Sequence, residues 1–155
     1  MHRDDILRLL GDMNWGNPEV VQSAAVAELA AHLDDEDLTL VATQSEQCPK
    51  ACWQNAALVL QSIGYPRIKS VVPILLEWFR DVNWPGVRTM VSLLKTVEAP
   101  LLVSRIEEMS KRVVSENDDG WAWGLMFLMR ELGIEAGDFV DEETYHQLHR
   151  LSQSE

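Results

Sequence analysis

A chain of 155 residues, 46% apolar and 25% charged, is long enough to bury a core without metals or disulfides and too apolar to stay disordered. Its net charge of −12 repels phosphate backbones and disfavours direct nucleic-acid binding. No apolar run approaches the roughly 18 residues that span a bilayer, and the start Met1-His2-Arg3-Asp4-Asp5 has two acids where a secretory leader needs positive charge, so a cytoplasmic protein with no membrane partner is expected.

In chain order, Ile6, Leu9 and Leu10 mark a short first helix. Asn17-Pro18 opens a second, with Asn as cap and Pro at the first helical position, and Val20, Val21, Ala24, Ala25, Leu29 and Leu33 form its inward stripe. Asp34 to Asp37 break the pattern, and Asp35 or Asp37 starts a third helix that runs to about Thr43. Cys48 and Cys52 stand four apart, which on a helix places both thiols on one face, poorly oriented for a disulfide. Without a histidine nearby in sequence they read as two small, half-buried apolar residues rather than metal ligands. Pro49 begins a fourth helix, ended by Gly64 as a glycine cap. Pro66–Arg80 predicts a fifth, with Ile68, Val71, Val72, Leu75, Leu76 and Phe79 inward. Helices over Pro85–Lys95, Leu101–Val114, Trp121–Leu132 and Asp141–Leu151 follow, the last with Tyr145 and Leu148 as its apolar side. No segment alternates with period two, so the fold class is all-α, with about eight to nine helices.

An internal repeat organises these helices. Asp12-Met13-Asn14-Trp15-Gly16 recurs as Asp81-Val82-Asn83-Trp84-Pro85, a shift of 69 residues that also carries Gly64 onto Gly133 and the apolar run 56–60 onto 125–129. A unit of that length holds two helical hairpins of about 34 residues each, the size of helix–turn–helix solenoid repeats. The expectation is one domain over 1–155: a unit at 1–64, its duplicate at 65–133 and a capping segment at 134–155.

The stretch Leu75-Leu76-Glu77-Trp78-Phe79-Arg80-Asp81-Val82-Asn83-Trp84-Pro85, with Gly64-Tyr65-Pro66 before it and Trp121-Ala122-Trp123 after it, resembles the signature of an uncharacterised bacterial family of small HEAT-like domains carrying Asp-x-Asn-Trp-Pro. The resemblance covers roughly residues 53 to 134; the first unit departs from it with Gly16 in place of proline. It implies a right-handed α–α superhelix of HEAT-like hairpins and implies little about activity. Read physically, Asp81 and Asn83 offer short side chains to the free amides at the next helix start, Pro85 occupies the first turn, and Trp84 wedges between hairpins.

Six tryptophans are divided between core and surface: Trp15, Trp53, Trp84 and one of Trp121 or Trp123 at related inter-repeat positions, Trp78 and the remaining one of the pair partly exposed. Charge is unevenly spread. Residues 9 to 49 carry eight acids and no Lys or Arg, residues 66 to 112 eight bases against five acids, and residues 113 to 149 nine acids against Arg130 alone. Adjacent acids such as Glu107-Glu108 and Glu142-Glu143 diverge around a helix and read as solvated faces. His146 and His149, three apart beside Asp141, Glu142 and Glu143, lack a fixed third ligand, so no metal site is assigned. There is no phosphate loop, no Gly-x-Ser-x-Gly and no His-Glu-x-x-His, and neither a catalytic residue nor a cofactor is assigned.

These features point to a non-enzymatic protein-binding module, monomeric or weakly dimeric, with Asp34, Asp35, Glu36, Asp37, Trp78, Asp81, Asn83, Trp84 and Trp123 as candidate contact residues. An acidic domain suits a basic partner such as a toxin domain, and the expected role is an immunity protein of a bacterial competition system. The alternatives are an adaptor or regulatory subunit, or a nucleic-acid-acting HEAT-like protein using the central bases.

Overall fold

Apolar residues three and four apart form helices along the whole chain. The computed structural model describes residues 1–154, and among them it has nine α-helices and no β-strand. These are α1 (Arg3–Asp12), α2 (Glu19–His32), α3 (Leu38–Ala42), α4 (Trp53–Ile63), α5 (Val72–Leu76), α6 (Val87–Leu94), α7 (Ala99–Glu116), α8 (Asp119–Leu132) and α9 (Glu142–Ser152). Of the expected capping segment, Glu155 lies outside the described residues.

Several helix ends differ from the sequence expectation for local reasons. Asn17 does not cap α2: its amide donates to the Gly11 and Asp12 carbonyls at 3.0 Å each and closes the end of α1, while Pro18 occupies the cap position of α2. The single helix expected over Pro66–Arg80 is instead a 3-10 turn (Arg67–Val71), α5, and a second 3-10 turn (Glu77–Arg80). Pro73 has no N–H to give to the Lys69 carbonyl, so the tighter i→i+3 winding precedes it. Pro85 lies ahead of α6, whose cap is Gly86 at φ 88°. Cys48 precedes the fourth helix rather than joining it, and both cysteines are fully buried, not half-buried.

The helices pack in two rows. α3, α5, α7 and α9 contact one another in succession, α2, α4 and α6 form the facing row, and α3 crosses onto α4 as α7 does onto α8. α1 packs on α2, and α8 is held by the 77–80 turn and by α9. One apolar core runs through all of it, from Ile6 to Leu148. Carbonyls in the last turns of α1, α3 and α5 are met by side chains from the next layer. Cys52 Sγ lies 3.3 Å from the Leu10 oxygen, Trp78 Nε1 donates to Ala42 at 2.9 Å, and Trp121 Nε1 to Leu76 at 3.1 Å.

Shifted by 69, α1 falls on α5 plus the 77–80 turn, and α4 falls within α8. Gly64 and Gly133 end α4 and α8 with φ of 74° and 71°. The two tryptophan corners do not match. Trp84 is half-buried with its ring 5.0 Å from that of Trp53, whereas Trp15 is 57% exposed. Among the described residues no indole packs on Trp15 as Trp53 packs on Trp84.

Candidate binding surfaces

The acidic run 34–37 is partly spent on internal bonds. Asp34 accepts from the Met1 ammonium at 2.8 Å, a hydrogen bond and charge that hold its carboxyl below the usual carboxylate range. Asp35 accepts from Arg67 Nε at 2.8 Å, while Arg67 also donates to the Leu33 carbonyl, stitching the α2–α3 link to the turn before α5. Glu36 remains exposed and Asp37 half-buried. Carboxylate oxygens of Asp34, Glu36 and Asp37 lie within 4.8 Å of one another, a grouping that exposed acids commonly adopt with no ion.

The Asp-x-Asn-Trp-Pro corner is an architectural turn. Asp81 Oδ1 accepts from the Asn83 amide at 2.9 Å, closing a turn ahead of the helix rather than capping its first amides. Gly86 donates its N–H to Gln54 Oε1 at 3.1 Å. A Cβ at Gly86 would stand 2.8 Å from the Trp53 carbonyl oxygen and 2.9 Å from the Trp78 ring, so glycine is required there by contact as well as by φ. Asp81 and Asn83 are exposed. Trp78 is not partly exposed, as its sequence position suggested, but wholly buried. The 3-10 winding at 77–80 turns it inward beside Phe79, where its N–H finds the Ala42 carbonyl. Of the other pair, Trp121 is wholly buried and Trp123 is 47% exposed.

Two surfaces carry apolar side chains in the open. The first is the outer face of α2. Val20 is 75% exposed, Val21 is at 36%, and Ala24, Ala27 and Ala31 are exposed with them; only Ala25 and Leu29 of the helix are fully buried. The inward stripe expected from Val20, Val21 and Ala24 is therefore wrong. Alanine and valine nearly surround this helix, and it packs on α1 and α4 through Ala25 and Leu29. Trp15 projects just ahead of it, and no Lys or Arg occurs between residues 9 and 49.

The second surface is a groove of about 580 Å³ between α8 and α9, lined among others by Trp123, Arg130, Tyr145, His146 and His149. Trp123 stacks on Phe127, centroids 6.0 Å apart and planes 7° from parallel. The sequence marked Trp123 but did not bring it together with the two histidines, because residues on different helices meet only through the hairpin.

Glu107 is a correction of another kind. It is buried, not solvated, and its two carboxylate oxygens accept the Val140 and Asp141 amides at 2.8 and 3.0 Å, fixing the approach to α9. Both oxygens are engaged in holding that loop. Burial pushes the Cys48 thiol up to about 12 and raises that of Cys52, which favours the protonated thiol in both.

A family model described as a domain of unknown function (DUF5071) matches residues 53–155. No curated protein and no solved structure matches the chain.

Proposed function

The chain belongs to the DUF5071 family, and from that premise and the two open surfaces we propose that it is a non-enzymatic protein-binding module of HEAT-like hairpins, engaging its partner through the outer face of α2. The carrying observation is that strip: solvent-facing helix positions are ordinarily polar, and here Trp15, Val20, Val21 and three alanines stand in the open on and just ahead of α2. The charged side chains of α2 other than His32 are Glu19 and Glu28, and the acids of 34–37 follow directly. An apolar strip bordered by acids suits a partner with an apolar patch ringed by Lys and Arg.

Within that class the reading is a toxin-neutralising immunity protein, acting by covering a basic toxin domain; the runner-up is an adaptor subunit of a cellular complex. The nucleic-acid alternative loses ground because four of the eight central bases are ion-paired: Arg67 with Asp35, Arg80 with Glu77, Arg105 with Glu108 and Arg112 with Glu116. The 69-residue duplication is part of the same proposal, with the first unit diverged at its tryptophan corner.

The test is co-expression with the product of the gene directly upstream. Wild type is expected to co-purify with it and suppress its toxicity. Trp15→Ala and Val20→Asp are each expected to weaken the complex at least about tenfold, some 1.4 kcal/mol, with helicity unchanged. Complex formation indifferent to both substitutions would remove α2 as the contact face.

A further inference from the structure

We propose that the groove between α8 and α9 is a second binding site, for a small anion that carries a flat ring, of the size and chemistry of a nucleoside monophosphate. It is independent of the α2 surface. Three observations meet there. Trp123 is 47% exposed yet held parallel to Phe127, so an indole is presented in a fixed orientation instead of being free to collapse. Arg130 is the single Lys or Arg among residues 113 to 149, where nine acids surround it in sequence, and among the described residues it forms no ion pair. Two of the chain's four histidines, His146 and His149, line the same groove, and neither imidazole has a hydrogen-bond partner among the described residues. The one acid in the lining, Glu135, is exposed and lies at the rim beyond the end of α8, where its backbone N–H donates to Asp138 Oδ2 at 2.8 Å.

Spacing selects the ligand. Trp123 and Arg130 are seven residues apart in α8, two turns on one face and about 10 Å along the axis. A ring laid on the indole and an anion at the guanidinium must therefore be joined by a spacer, as base and phosphate are by a sugar. A compound whose charge sits directly on its ring cannot reach both. The volume of about 580 Å³ lies in the range of small-molecule sites. Sequence-tolerant stacking of a base on an exposed aromatic, with a cation for the phosphate, is how such groups are held elsewhere.

Calorimetric titration of the full chain at pH 7 with AMP, adenosine and inorganic phosphate tests this. AMP is expected to bind with Kd below about 1 mM and at least tenfold more tightly than either fragment. Trp123→Ala and Arg130→Gln each reduce AMP affinity at least about tenfold, and Trp123→Phe, which keeps a ring, recovers most of it. Circular dichroism on each variant confirms that these surface changes leave the helices intact. AMP failing to bind, adenosine binding as well as AMP, or binding that survives both Trp123→Ala and Arg130→Gln would each overturn the proposal.

Discussion

At the scale of single residues, Cys48 shows how burial sets chemistry. Its thiol lies among apolar side chains and is pushed from the ordinary 9.0 up to about 12, first by desolvation and then by the neighbouring Cys52. The folded state therefore keeps a proton that the unfolded chain releases. Between about pH 9 and 12 the unfolded state binds fewer protons, and stability falls as pH rises; below pH 9 this contribution is fully present. Urea midpoints at pH 7, 8.5 and 10 are expected to decline more steeply for wild type than for Cys48→Ala, and equal slopes would show the thiol to be solvated. Trp78 and Glu107 make a related point. A hydrophobic residue and an acid were each read as surface groups by their spacing, yet one N–H meeting the Ala42 carbonyl and two oxygens meeting the 140–141 amides account for their burial. Such pairings join residues 33 to 36 positions apart, which no local pattern encodes.

At the scale of elements, α8 depends on a backbone approach. Gly124 faces the turn at 77–80 so closely that a Cβ there would stand 1.7 Å from the Phe79 carbonyl oxygen. Helix propensity alone favours Gly124→Ala by about 1 kcal/mol. The contact reverses the sign, and we expect Gly124→Ala to lose about 3 kcal/mol or more as α8 is forced off the turn, read from urea unfolding. Gly11→Ala is the control: a Cβ there meets nothing within 4 Å, so it is expected to raise stability by about 0.5–1 kcal/mol. Comparable losses for both would mean that the Phe79 contact does not set the cost at Gly124. Helix positions were legible because apolar residues at three- and four-residue spacing leave few other ways to bury them. The break of 66–80 into 3-10 and α pieces was not, since Pro73 removes one bond while packing decides how the chain compensates.

At the scale of the molecule, one contiguous core from Ile6 to Leu148 joins both rows of helices, with Trp78 and Trp121 buried in its middle. Unfolding should therefore be a single cooperative event, in which far-UV dichroism and tryptophan fluorescence give coincident urea midpoints. Separated midpoints would instead indicate that α1 and α2 peel away first, as quasi-one-dimensional stacks allow. The candidate surfaces were only partly legible at this scale. Trp123 was identifiable from its neighbour Trp121, because two tryptophans two apart on a helix cannot both face inward. The α2 strip was mistaken for core because apolar spacing reports that a face is hydrophobic, not that another helix covers it.

What the amino-acid sequence determined by itself is the all-helical class, the approximate place of each helix and the glycine stops at 64 and 133, since these follow from periodicity and backbone freedom within a few residues of chain. What only the tertiary structure decided is which apolar faces find a partner: Trp78 does, the outer face of α2 does not, and a groove forms between the chain's last two helices, α8 and α9. The reason is that burial is a property of pairs of surfaces, and the second surface of each pair lies tens of residues away.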